Sequence, residues 1–406
     1  MPERSTSVTR APIATSLDDP RPLLLCFSHL RWDFVWQRPQ HLLSRAAQRY
    51  HVLVVEEPVY KEGVSPHMDV STRPGGITVA VPTLPWGFDQ DNVVVEQRRL
   101  LDKLLAREAE SPRILWYYTP MALAFSDHVE GDVVVFDKMD ELSAFAGASP
   151  ELLALEAALL ERADVVFTGG QSLYEAARHR HANLHAFPSS IETEHFAKAR
   201  REGIADPADQ AAIPHPRLGF FGVIDERMDL DLVRETALLR PDWQFVMVGP
   251  VVKIAEEDLP RLPNIHWLGG KTYKELPDYL AGWDIGFMPF ARNEATRFIS
   301  PTKTPEFLAA GVPVVSTPIT DVVRPYGERG LVEIASDAGE VVEKVQALLN
   351  RPRNATLVWL SKVDRHLSAG SWDKTWAAMH KLIGDGLGEA PSRERTLPTY
   401  ATTPAE

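Results

Sequence analysis

Short apolar runs recur along this chain, separated by longer amphipathic stretches. Leu23–Phe27, Val52–Val55, Ile77–Val81, Ile114–Tyr118, Val133–Phe136, Asp164–Thr168 and Leu184–Phe187 each read as a strand. The segment leading to Arg49, and then Asn92–Glu108, Glu151–Arg162 and Ser172–His179, carry helical spacing between them. A second series follows: strands at Leu218–Phe221, Gln244–Val248 and Asp284–Met288, a short apolar stretch at Ile265–Leu268, and helices at Leu230–Leu239 and Leu276–Ala281. Strands alternating with helices imply parallel sheets covered on both faces. The expected fold is therefore α/β, with two Rossmann-like halves facing each other.

Between the two series, Glu202–Pro216 is rich in Ala, Asp and Pro and reads as a linker. The expected division is a tail at 1–20, a first domain at 21–205, a second at 211–369 and a tail at 389–406. Near the end, Trp372, Trp376, Met379 and Ile383 share one helical face, a packing stripe that predicts a helix at 370–388 returning to the first domain.

With 406 residues, two cores are the prior expectation. A net charge of -13 disfavours nucleic acid as a partner, since phosphate backbones require clustered Lys and Arg. The single cysteine, Cys26, lies in an apolar run and excludes a disulfide framework. With no apolar run of membrane-spanning length and no leader-like start, the expected location is the cytoplasm, with peripheral contact at the inner membrane face left open. His179, His181 and His185 have ligand-like spacing, but they span a helix end and a turn without a Cys or paired carboxylate, so no metal site is expected.

The richest chemistry lies between Met288 and Pro318. Ser300-Pro301 and Thr304-Pro305 each offer a hydroxyl cap followed by proline, and either register places free backbone amides near Thr302, a setting suited to phosphate. Lys303 adds a cation, and Glu306 a carboxylate able to accept hydrogen bonds from two ribose hydroxyls. Gly311 ends the helix, and Val312–Val315 reads as a buried strand. Neither half has Gly-x-Gly-x-x-Gly after a strand, which disfavours a nicotinamide-dinucleotide domain.

The run Ser300-Pro301-Thr302-Lys303-Thr304-Pro305-Glu306-Phe307-Leu308-Ala309-Ala310-Gly311-Val312-Pro313-Val314-Val315 resembles the donor-site motif of group 1 (family 4) retaining glycosyltransferases of GT-B fold. Trp32-x3-Trp36-Gln37-Arg38-Pro39-Gln40-His41-Leu42 and Asp137-x-x-Asp140-Glu141-x-x-Ala144-Phe145 are similar to segments of the bacterial surface-polysaccharide branch, the teichuronic-acid-type transferases. The resemblance implies a nucleoside diphosphate sugar as co-substrate, UDP favoured over GDP, no other cofactor, no metal, and a glycan or lipid-linked acceptor. It assigns Glu306 to the ribose and the amides near Thr302–Thr304 to the diphosphate. Gly270 and Lys271 match the segment that meets the base, and Gly222 with the loop to Arg227 matches the place of further diphosphate contacts.

The chain departs from the family in two places. Phe298 stands where the family commonly has a Glu, with Glu294 the nearest acid, and the usual Gly-Arg-x4-Lys is replaced by a loop in which only Arg227 is comparable. On the acceptor side, Asp140, Glu141 and His29 are candidates to orient the hydroxyl or take its proton, with helix capping the alternative for the two acids. Trp32, Trp36 and Arg38 are candidate acceptor contacts, the alternatives being packing for the indoles and a structural ion pair for Arg38. A sugar-nucleotide 2-epimerase and a non-catalytic nucleotide-sugar-binding module are the competing readings of the same fold.

Overall fold

The computed structural model describes residues 21–106, 108, 112–144 and 148–388. The two tails expected from composition lie outside them. The first sheet contains β1 (Leu23–Ser28), β2 (His51–Glu56), β3 (Val59–Lys61), β4 (His67–Arg73), β5 (Ile77–Pro85), β6 (Arg113–Tyr117), β7 (Val133–Lys138), β8 (Val165–Thr168) and β9 (Leu184–Ala186). Its order is β3-β5-β2-β1-β6-β7-β8-β9, with β4 antiparallel on the outer side of β5 and every other pairing parallel.

The apolar runs do not alternate with polar residues because both faces of this sheet are covered. Along β1, Leu24 and Cys26 enter one core while Leu23, Leu25 and Phe27 enter the other. Val52 and Val54 against Leu53 and Val55 repeat this along β2.

The second sheet contains β10 (Arg217–Phe221), β11 (Gln244–Val248), β12 (Ile265–Trp267), β13 (Ile285–Met288), β14 (Val314–Ser316) and β15 (Glu333–Ile334). All pairings are parallel, in the order β12-β11-β10-β13-β14-β15. Helices Ala338–Leu349 and Arg353–Leu367 complete its covering layers. The helix Trp372–Gly388 packs Trp372, Trp376, Met379 and Ile383 into the core of the first sheet.

Residues 191–213 belong by packing to the second domain, so the physical boundary precedes the linker read from composition. Ile191, Phe196, Ala199 and Ile213 share a core with Phe221, Tyr279 and Phe307. Arg217 fixes the linker itself through Asp206 at 2.8 Å and the carbonyl of Ile213.

The two domains touch through specific groups. The Ser189 hydroxyl donates to the carbonyl of Ser300 at 2.7 Å, and Asp321 accepts from the Ser172 amide at 3.0 Å. Glu192 accepts from Arg45 at 3.2 Å and from the Tyr273 hydroxyl at 3.1 Å. The carboxyl edges of the two sheets therefore meet across one cleft.

Candidate functional site

In an open parallel sheet, the crevice for a ligand opens where chain connections leave a strand in opposite directions. In the second domain that place is between β10 and β13. Gly222 follows β10 with φ +130, and a Cβ there would overlap the Lys303 side chain. A Cβ on Gly249, which follows β11, would overlap the Gly222 carbonyl. Two glycines thus let the loops close down and let Lys303 lie across the strand end.

The helix Lys303–Ala310 starts beside this floor, with Thr302 as its cap residue and no side-chain cap bond. Neither Ser300 nor Thr304 is the cap. The Thr304 amide instead bonds the Pro301 carbonyl at 3.3 Å in a tight turn, and Pro305 sits inside the first helical turn, where its missing N–H leaves no bond unmade. Thr304 itself turns inward, its hydroxyl 3.7 Å from the Met288 sulfur, so its side chain is not part of the cleft wall. Gly311 closes the helix in the left-handed conformation.

Two cavities open on this helix start. The larger, of about 710 Å³, is bordered by Gly222, Arg227, Lys271, Thr302, Lys303 and Glu306 from the second domain and by Trp32, Phe34 and Trp36 from the first. The smaller, of about 110 Å³, has Ser300, Thr302, Lys303 and Arg227 on one side and Asp140, Arg38 and Ser189 on the other.

The charged groups here divide into paired and unpaired. The Lys303 ammonium sits 5.5 Å above the Phe220 ring and has no hydrogen bond or ion pair among the described residues. Burial, followed by the nearby Arg227, holds it below the usual lysine range. Glu306, one turn along the same helix, is buried and likewise accepts no hydrogen bond among the described residues. Burial pushes its carboxyl above the usual range, and Lys303 offsets part of that rise. Arg227, by contrast, is gripped by Asp225 at 2.7 and 3.0 Å, which fixes the direction of its guanidinium.

Across the cleft, Asp140 is half-buried and also makes no hydrogen bond among the described residues. Burial raises its carboxyl, with Arg227 the strongest opposing influence. Glu141 is committed elsewhere, accepting from Lys138 and from Ser143 at 2.9 Å each, and borders neither cavity. His29 borders neither cavity as well; burial and then Lys253 lower its imidazole to about 4.

Arg38 borders the smaller cavity but is spent on structure. Its guanidinium meets Asp137 at 2.8 to 3.1 Å and the Phe187 carbonyl at 2.7 Å. The structural alternative holds for it. Trp32 is buried, with its amide on Glu56 at 2.7 Å, while Trp36 is 40% exposed and lies against Tyr273 of the other domain. Lys271 is paired with Asp209 at 2.7 Å, and Gly270 stands exposed outside the cavity wall. Asp229 caps the helix Leu230–Leu239, accepting from the Leu232 amide at 2.8 Å.

Sequence reasoning missed Asp225, Glu192 and Tyr273. Asp225 sits two residues from Arg227, the i, i+2 spacing of a local carboxylate grip, and was legible. Glu192 draws its partners Arg45 and Tyr273 from distant segments and was not. His41, 3.5 Å away, and Arg45 hold its carboxylate at about 2, and the Tyr273 hydroxyl donates to it.

The architecture is GT-B: two Rossmann-like domains with a shared cleft and a final helix packed back on the first. Residues 215–351 match the family model for group 1 glycosyl transferases. The chain is 31% identical over 245 residues to a Bacillus subtilis (strain 168) protein that carries the name of a teichuronic acid biosynthesis glycosyltransferase, TuaH. That match covers 54% of this chain and 59% of the relative's length. Sucrose-phosphate synthase (tll1590) from Thermosynechococcus elongatus superposes with a TM-score of 0.66 at 14% identity, covering 90% of this chain and 99% of that one. An E. coli trehalose-6-phosphate structure bound with UDP-2-fluoro glucose gives 0.65 at 13% identity, covering 91% of this chain and 99% of that one. At such identities these two likenesses speak to the fold alone.

Proposed function

We propose that the protein is a glycosyltransferase that moves a sugar from a nucleoside diphosphate sugar, UDP-sugar favoured, to a hydroxyl of a glycan acceptor in cell-surface polysaccharide synthesis, with retention at the anomeric carbon. One observation carries the reading: an unpaired ammonium and an unpaired carboxylate, Lys303 and Glu306, stand one turn apart at a helix start and border the same cavity. A ribose hydroxyl pair suits the carboxylate, and a diphosphate suits the ammonium and the adjoining helix N-terminus. The name of the Bacillus relative supports the polysaccharide role, and the UDP-2-fluoro glucose bound in the E. coli neighbour supports the choice of base.

In this reading the departing diphosphate gathers negative charge as the glycosidic bond breaks. Lys303 and the Arg227 guanidinium, already aimed by Asp225, stabilise that charge without reorganising. These cations supply what a metal would otherwise provide, so the reaction is proposed to be metal-independent. Asp140, on the opposite wall, holds the acceptor hydroxyl and receives its proton, its raised pKa bringing the carboxylate nearer the range useful to a base. Among the described residues no helix is long and apolar enough to cross a membrane, and contact with a lipid-linked acceptor would be peripheral.

A panel of UDP- and GDP-sugars with glycan acceptors tests this. UDP release that depends on acceptor supports transfer, whereas inversion at C2 without UDP release overturns it in favour of an epimerase. Phe298, where the resembled family commonly has a Glu, favours one alternative specifically: a module that binds nucleotide sugar without turning it over, which would show as binding and no product for every pair.

A further inference from the structure

Arg227 and Lys303 border the same two cavities and stand on two segments that run side by side. Residues 223–229 follow β10 and Gly222, and residues 289–302 connect β13 to the helix that begins at Lys303. Met228 and Phe290 form an antiparallel bridge. The Asp229 amide donates to the Pro289 carbonyl at 2.8 Å, and the Ala291 amide to the Arg227 carbonyl at 2.8 Å. At its other end the first segment is held by Ile224, whose amide donates to the Pro250 carbonyl at 3.0 Å and whose carbonyl accepts from Val252 at 2.9 Å. Main-chain bonds therefore fix both ends of the turn that carries Arg227.

Between those ends lies the Glu226 carbonyl, and Asn293 reaches it. The Asn293 Nδ2 donates there at 3.1 Å, while its Oδ1 accepts from the Thr296 amide at 3.1 Å and caps the short helix Glu294–Thr296. The buried Thr296 returns the contact, its hydroxyl accepting from the Asn293 amide at 3.2 Å. This reciprocal cap fixes which way the side-chain amide points. Serine and aspartate cap a helix as well as asparagine does, but serine is shorter and aspartate has no N–H to offer a carbonyl. Glu294, the nearest acid to Phe298, is exposed, lies 3.4 Å from Arg297 and borders neither cavity. The segment thus serves the cleft wall through an amide and not through a carboxylate.

We infer that Asn293 is a positioning residue for Arg227. Asp225 aims the guanidinium within the turn, and Asn293 straps the turn itself to the segment that ends at Lys303, so that both cations meet one diphosphate without rearranging. The service to a diphosphate rests on the transferase reading, but the strap does not.

Asn293→Ser in the full chain separates the two duties of the side chain, since serine keeps a capping oxygen for Thr296 and falls short of Glu226. In the ligand-free variant, hydrogen exchange over residues 223–229 is expected to run roughly fivefold faster, with the global unfolding midpoint unchanged. UDP should bind the variant about threefold more weakly than wild type, and uridine, which has no phosphate, equally well. Arg227→Met should weaken UDP about tenfold, and adding Asn293→Ser to it should weaken UDP no further. Unchanged exchange over 223–229 would overturn the strap. UDP affinity equal to wild type, an equal loss for uridine, or a further loss in the Arg227→Met background would overturn the positioning role. UDP that fails to bind the wild type would overturn the donor reading and with it the service to a diphosphate, while hydrogen exchange still decides the strap.

Discussion

Two crevices occupy the same topological place in the two halves of this protein, and they differ in how their charges are paired. In the second domain the carboxyl edge of the sheet presents Lys303 without a partner and Arg227 aimed by Asp225. In the first, the cation at the corresponding edge, Arg38, is neutralised in place by Asp137, and the acid beside β1, Glu56, is neutralised by Arg31 at 3.1 Å. The strand arrangement sets where a ligand can sit, and side-chain pairing sets which ligand it can be. An unpaired buried cation waits for an anion, while a paired one holds a loop.

The contrast between Arg38 and Lys303 is the sharpest way to break this comparison. Arg38→Met strands the Asp137 carboxylate in the core and is expected to cost about 3–5 kcal/mol of stability, read by urea unfolding. A melt unchanged from wild type would show that Arg38 is free for ligand after all. Lys303→Met should do the reverse. Removing an ammonium that burial already disfavours leaves stability equal or higher, while kcat for transfer falls about 10²–10³-fold through lost charge stabilisation. Retained turnover would remove Lys303 from the leaving-group site.

Glu306 gives the next largest effect. Glu306→Ala is expected to weaken UDP binding by about 1.5–3 kcal/mol through the loss of charge-assisted bonds, measured by calorimetry. Because burial raises its carboxyl, wild-type affinity for UDP should climb as pH rises through that raised range and the ionised form becomes available. The Ala variant should lack that dependence. A wild-type affinity flat with pH would mean that another group holds the ribose.

How much of this was legible in the sequence follows from where the determinants lie. The strands were readable because burial on both faces leaves uninterrupted apolar runs, and Lys303 and Glu306 because one contiguous stretch brings both to one cavity. The helix cap was misread because two Ser/Thr-Pro pairs compete locally and the turn through Pro301 decides between them. The partners of Arg38 and Glu192 were out of reach, since Asp137 lies 99 residues from Arg38 and Arg45 lies 147 from Glu192.

The smallest effect concerns the seam that keeps the two crevices face to face. Glu192 accepts from Arg45 of the first domain and from the Tyr273 hydroxyl of the second, with His41 3.5 Å away, and His41 and Arg45 lower its carboxyl to about 2. An unfolded glutamate titrates near 4.3, so between roughly pH 4.3 and 2 the unfolded chain takes up a proton that the folded one refuses. The stability contributed by this charge is therefore complete above the unfolded value and is lost as pH falls through the folded one. Glu192→Gln keeps an acceptor but removes the charge, and about 1 kcal/mol is expected to separate it from wild type at pH 6. That gap should narrow steadily as urea melts are taken toward pH 3. A gap that stays constant over this range would show that the seam depends on the shape of the side chain at 192 and not on its charge, and the facing of the two crevices would then need another cause.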